Sequence, residues 1–202
     1  MKNKAIIAGG SYIIIFIAAI FANFMVLESL INNPLKTVQE NGMMVRFGII
    51  AFLVTVVFDV VVAWALYELY KGHTLNLLST LFRMMHASIM GIAIFALPLI
   101  LDLTSADDIL NQVHIFNTIW LIGLLFFGIH LILLGKIIQK PKLIAIFLII
   151  AGIMYVVDTS AHFLMPNYAD YQDVFLALVA IPSIIGEMSF AIWLLLKKEN
   201  QN

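Results

Sequence analysis

Six apolar stretches, each long enough to cross a bilayer, follow one another along this chain with only short polar breaks. They run near 5–28, 46–70, 76–101, 113–135, 143–165 and 174–196, against a requirement of about 20 residues for a spanning helix. Hydrocarbon offers no partner to backbone N–H and C=O groups, so stretches of this length must be helical. The breaks carry turn residues: Asn32-Asn33-Pro34 and Asn41-Gly42 mark the first, and Lys71-Gly72-His73-Thr74 the second. Asp102 to Asp108 form the third, Lys136 to Lys142 with Pro141 the fourth, and Pro166 to Asp173 the fifth. None is long enough to separate two folding units. The expectation is one all-α membrane domain over 1–202, an integral bundle of six transmembrane helices.

Composition agrees. Only 11% of residues are charged and 63% are hydrophobic, whereas soluble domains carry about 25% charged residues. The partner this implies is the lipid bilayer, and a net charge of −1 gives no reason to expect nucleic acid. The chain has no cysteine, which excludes disulfides, thiolate metal sites, thioether-linked haem and cysteine nucleophiles. The first apolar run, Ala5 to Leu27, exceeds the 7–15 residues of a signal h-region, and Ile20 stands where a cleavage site needs a small residue. It reads as an uncleaved first helix.

Lysine placement sets the orientation. Lys2, Lys4, Lys71, Lys136, Lys140, Lys142, Lys197 and Lys198 fall on one side, against Lys36 and Arg46 on the other. By the positive-inside rule both termini are expected in the cytoplasm, in the inner (plasma) membrane of a bacterium. Trp64, Tyr67, Tyr70 and Trp193 at the inner ends, with Tyr168 and Tyr171 outside, suit interfacial belts. Helices two, four and six end alike, but shared topology and the basic flank explain that without an internal repeat.

A guanidinium cannot lose its charge in a protein, yet Arg83 sits inside the third apolar run. Insertion scales put that at about 2.5–3.5 kcal/mol at mid-helix, so an anionic neighbour is required. Asp59, Asp158 and Glu187 are the candidates. At 1.5 Å per residue from the inner helix ends, Arg83 lies about 10–12 Å deep, His86 about 15 Å, Asp59 about 16 Å and Glu187 about 14 Å. His130 is shallower at about 8 Å, while Asp158 and His162 lie in the outer half at about 23 and 28 Å. Arg83 and His86 are spaced i,i+3 and Asp158 and His162 i,i+4, so each pair shares a face. The expectation is an Arg83–Glu187 pair with Asp59 nearby, His86 and His130 in the same polar layer, and Asp158–His162 as a secondary hydrogen-bonded pair near the outer mouth.

Two carboxylates around one arginine leave one charge to be settled by a proton, on an acid or on His86. Intramembrane ionisable groups point to a site for a small molecule, a lipid or a proton, and equally to an ion pair that only fixes helix order. Pro182 and Gly186 beside Glu187 favour a kink and a close approach in helix six. Gly123, Gly128 and Gly152 read as close-packing positions. A haem or metal enzyme using His86 and His130 is a further alternative, although no ligand-spacing motif specifies a cofactor. Serines at membrane depth lack any nucleophile elbow, and Ser160 does not face Asp158 or His162 on a helix.

The runs Gly128-Ile-His130-Leu-Ile-Leu-Leu-Gly135-Lys-Ile, then Pro141, then Ala151-Gly152-Ile-Met-Tyr155-Val-Val-Asp158 carry a resemblance. So does the ending Ile185-Gly186-Glu187-Met-Ser189-Phe-Ala-Ile-Trp193-Leu-Leu-Leu-Lys197. From about Val45 to Lys198 the chain resembles the bacterial multi-pass family catalogued as domain of unknown function 4386. Arg83 in Leu-Phe-Arg-Met-Met-His-Ala is similar to that family's arginine-bearing third helix, with His86 where the pattern implies an acid. The resemblance implies a bacterial integral membrane protein and no particular chemistry.

Overall fold

The computed structural model describes residues 2–197. Lys198, counted above among the inner lysines, lies outside the described residues. Six helices are long and apolar enough to span a membrane: α1 (Lys2–Asn32), α2 (Pro34–Leu69), α3 (Asn76–Asp102), α4 (Ala106–Ile137), α5 (Lys142–Leu164) and α6 (Tyr168–Leu196). Among the described residues there is no strand. Each helix packs against its neighbours in sequence, and α6 returns to pack against α1. The six therefore close into a ring in chain order, and short connections force neighbours to run antiparallel. Large apolar side chains such as Ile17, Phe24, Phe47, Leu81, Phe95 and Leu176 point outward, which suits a lipid surround.

The first break differs from its expectation. Pro34 is a helix-starting residue with its missing N–H at the first turn, and α2 runs from there rather than from residue 46. Asn33 breaks the helical path between α1 and α2, with φ −142° and ψ 64°. The Asn41-Gly42 signal survives as a single non-helical residue, Asn41, at φ −123° and ψ 30°. A flexible pair bends the helix there without ending it. α4 likewise starts earlier than residue 113, because Ser105 caps it by accepting the Asp108 N–H at 3.4 Å. In α1, Phe21–Leu27 wind as a π-helix, with Asn23 Nδ2 donating to the Ala19 carbonyl at 2.9 Å.

Small residues set the helix spacing. A methyl group placed on Gly128 would lie 2.6 Å from the Gly152 carbonyl, so α4 and α5 touch backbone to backbone. Gly9 does the same for α1 against the Ala191 carbonyl of α6, and Gly186 brings α6 onto Phe147 and Leu148 of α5. Two apolar clusters fill the ring. The one at the lysine-rich end draws on α1, α2, α4, α5 and α6, with Tyr12, Leu131, Leu148 and Phe190 fully enclosed. The other is built from α1 to α4 around Phe52, Ile100 and Phe116. The outer half of α6 contributes little: before Pro182 only Val179 is buried. α6 continues helically through Pro182.

Candidate functional site

Between the two apolar clusters lies a polar one. Ser79, Arg83 and His86 sit on one stripe of α3 with Met90, at steps of four, three and four residues. Thr55, Asp59 and Val62 form the matching stripe of α2, and Gly123, Phe127 and His130 that of α4. Each polar side chain thus replaces an apolar one in an inward-facing row, and tertiary packing carries it to the ring's centre.

Arg83 is 1% exposed. Its Nη2 donates to Asp59 Oδ1 at 2.5 Å. Its Nη1 donates to the Tyr12 hydroxyl at 2.8 Å and to His130 Nε2 at 3.2 Å. The guanidinium carbon also lies 4.8 Å from the centroid of the Tyr12 ring and 5.3 Å from that of Phe127, within cation–π range. One cation therefore ties α1, α2 and α4 to α3. Nε has no partner among the described residues.

The histidines are held by backbone. His130 Nδ1 lies 2.9 Å from the Ser79 carbonyl. A carbonyl only accepts, so the ring proton is on Nδ1 and the Nε2 lone pair receives Arg83. His86 Nδ1 donates to the Gly123 carbonyl at 3.0 Å, and its Nε2 stands 3.5 Å from Asp59 Oδ2. When doubly protonated, His86 completes a second ion pair with Asp59. His130 reaches Arg83 despite its shallower position, because the arginine side chain extends a full turn toward it.

The expected Arg83–Glu187 pair is not formed: among the described residues Arg83 pairs with Asp59, and Glu187 makes no hydrogen bond or ion pair. Ring order is the reason. α2 adjoins α3, whereas α6 adjoins α5 and α1, so Asp59 meets the guanidinium first. Glu187 is half-buried, with Arg83 and Asp59 as its charged neighbours beyond contact distance. The outer pair also differs. Asp158, buried on α5, accepts from the Tyr168 hydroxyl at 2.6 Å, while exposed His162 packs its ring edge-on against Tyr168 at 4.7 Å. The phenol arriving from the α5–α6 turn takes the carboxylate that His162 was expected to hold.

Two members of the cluster escaped the sequence reading. Tyr12 is not among the aromatics assigned to the interfacial belts, and Ser79 is one of the serines at membrane depth. The inward spacing Ala5, Ala8, Tyr12, two small residues and then a phenol, was the available signal. No three His, Asp or Glu side chains gather into a metal-ligand set among the described residues. Both nitrogens of His86 and of His130 already face protein partners, and the guanidinium fills the space between His130 and Asp59.

Comparison with known proteins adds a family. Residues 7–197 match the family model described as Domain of unknown function (DUF4386). The chain is 31% identical over 157 residues to an uncharacterized protein of Archaeoglobus fulgidus, covering 75% of this chain and 83% of that relative. That relative is archaeal, so the family resemblance does not by itself make this chain bacterial. No solved structure matches.

Proposed function

Because the chain belongs to the family of domain of unknown function 4386, which carries no assigned chemistry, we propose a function from the geometry alone. The protein lies in the plasma membrane with both termini in the cytoplasm, and its central cluster is a binding and switching centre whose ligand is a proton. The observation that carries this reading is Glu187: a half-buried carboxyl at membrane depth, without a hydrogen-bond partner among the described residues, facing an Arg83–Asp59 pair that is already neutral. A single proton added to or removed from Glu187 changes the net charge of the core. The cluster is packed with its own side chains, which favours a proton over a small molecule or a lipid. A charged Glu187 is drawn toward Arg83, and α6, whose segment before Pro182 is little buried, is the element that would follow.

The test uses a cysteine introduced at Leu178, on the outer half of α6, in a chain that has none of its own. Its labelling rate in proteoliposomes should depend on pH in the parent, and Glu187→Gln should fold and abolish that dependence. A pH-independent rate in the parent, or an unchanged profile in the variant, refutes the switch. A second reading, a purely structural lock, is favoured by the way Arg83 joins four helices. It expects Glu187→Gln either to be silent in the labelling profile or to unfold the protein. Haem or metal chemistry at His86 and His130 has less support, since neither ring has a nitrogen facing open space.

A further inference from the structure

At the lysine-rich end, a cleft of about 350 Å³ opens between the ends of α2, α4 and α6. Its lining includes Tyr70, Lys71, His73, Lys140, Trp193 and Lys197, drawn from three separate segments of chain. Lys197 sits over the Trp193 ring at 4.7 Å and beside that of Tyr70 at 6.0 Å, so its ammonium is positioned by both aromatics. His73 Nδ1 accepts the Leu75 N–H at 3.2 Å. A neutral His73 therefore carries its proton on Nε2, as a donor. The Tyr70 hydroxyl is buried and has no partner among the described residues, an arrangement that disfavours folding unless something accepts from it. Burial pushes the Tyr70 phenol up, so it remains a donor.

Charge in this region is one-sided. Glu68, beside the cleft, is shared by Lys4 and Lys71, and no acidic side chain is among the residues that line the cleft. Lys4, Lys71, Lys140 and Lys197 against Glu68 leave +3 among the described residues. Three helix C-termini converge here, and their carbonyl ends amount to about −1.5. The balance is still positive. Helix ends with Trp and Tyr mark the depth of lipid headgroups, and basic pockets between helices at this level take anionic headgroups.

We propose that this cleft binds a phosphate group, carried on an anionic phospholipid, with Lys140 and Lys197 neutralising it and His73 donating a hydrogen bond. A free phosphate monoester presents the same oxygens, so the test separates the two sources. The full chain is placed in nanodiscs of phosphatidylcholine with a minor share of phosphatidylglycerol, and retained lipids are counted by native mass spectrometry. Phosphatidylglycerol should be enriched over phosphatidylcholine. Lys140→Gln with Lys197→Gln should lower its apparent affinity roughly thirtyfold, about fivefold per lysine. Lys136→Gln with Lys142→Gln, the same charge change outside the lining, should leave it nearly unchanged. In discs of phosphatidylcholine alone, calorimetric binding of inorganic phosphate would assign the site to a soluble phosphate. Equal losses in the two lysine pairs, or no enrichment together with no phosphate binding, overturn the proposal.

Discussion

Replacing Asp59 with Asn tests the centre of the ring most directly, because it removes a charge and almost no volume. Arg83 is 1% exposed and meets Asp59 at 2.5 Å. The gross attraction at that separation is about 7 kcal/mol at an effective dielectric constant near ~20. The asparagine carbonyl still accepts one N–H, so part of the contact survives. What does not survive is neutrality, and removing one partner of a buried pair costs about 3–5 kcal/mol. Glu187 cannot substitute unless α6 moves inward, since it makes no ion pair with Arg83 in the present arrangement. For a chain of this size each kcal/mol is worth about 2–4 °C, so the melting temperature should fall by about 6–20 °C. Tryptophan fluorescence or size-exclusion survival after heating in detergent reads this. Arg83→Met in the same background should recover much of the loss, because the stranded cation is gone. A fall of under about 2 °C for Asp59→Asn, or additive losses in the double variant, would refute the reasoning that the pair neutralises a cation held away from water.

Three other outcomes follow from the same contacts. Tyr12→Phe keeps the ring beneath the guanidinium but removes its 2.8 Å acceptor, and should cost about 1.5–3 kcal/mol in the same melting assay. Gly152→Leu drives a side chain into the Gly128 carbonyl and Ile132. It should destabilise the α4–α5 contact by about 1–3 kcal/mol or more, read as loss of the monodisperse peak. For orientation, single cysteines at Lys142 and at Asp107 of the cysteine-free chain should react differently with an impermeant maleimide. Asp107→Cys should label in intact cells and Lys142→Cys only after permeabilisation, as the lysine bias requires.

The six spans were legible because an apolar window of about twenty residues has one stable solution in lipid. The need of Arg83 for a carboxylate was legible for the same reason. Which carboxylate was not. Asp59 and Glu187 lie at nearly equal depth along their helices, and depth carries no information about azimuth or about which helix stands beside which. Adjacency is decided by seams such as Gly128 with Gly152 and Gly9 with Ala191, where the fit of two backbones matters and the one-dimensional pattern is silent. Tyr12 was missed because a phenol in a run of isoleucines reads as apolar bulk until a donor is known to face it. Asn41-Gly42 was over-read as part of a loop, because turn-forming residues were weighed locally while Pro34 had already started a helix able to absorb one irregular residue.

The placement of Glu187 argues for a switch over a lock. A lock that only fixes helix order needs its charges on the helices it joins, and Arg83 joins α1, α2 and α4 through Tyr12, Asp59 and His130. That set is electrically neutral without α6, although Arg83 Nε is left without a partner among the described residues. An additional carboxyl at the same depth then adds desolvation with no compensating contact, and an apolar residue there would be more stable. It sits, moreover, on the least buried of the six spans, one turn from Pro182 and beside Gly186, whose contact with Phe147 and Leu148 gives α6 a pivot on α5. The acid without a hydrogen bond or ion pair among the described residues and the least buried of the six spans are thus the same element. In the proposed switch, protonation changes the attraction between Glu187 and Arg83 without adding atoms for which the packed ring has no space, and α6 is the element expected to respond.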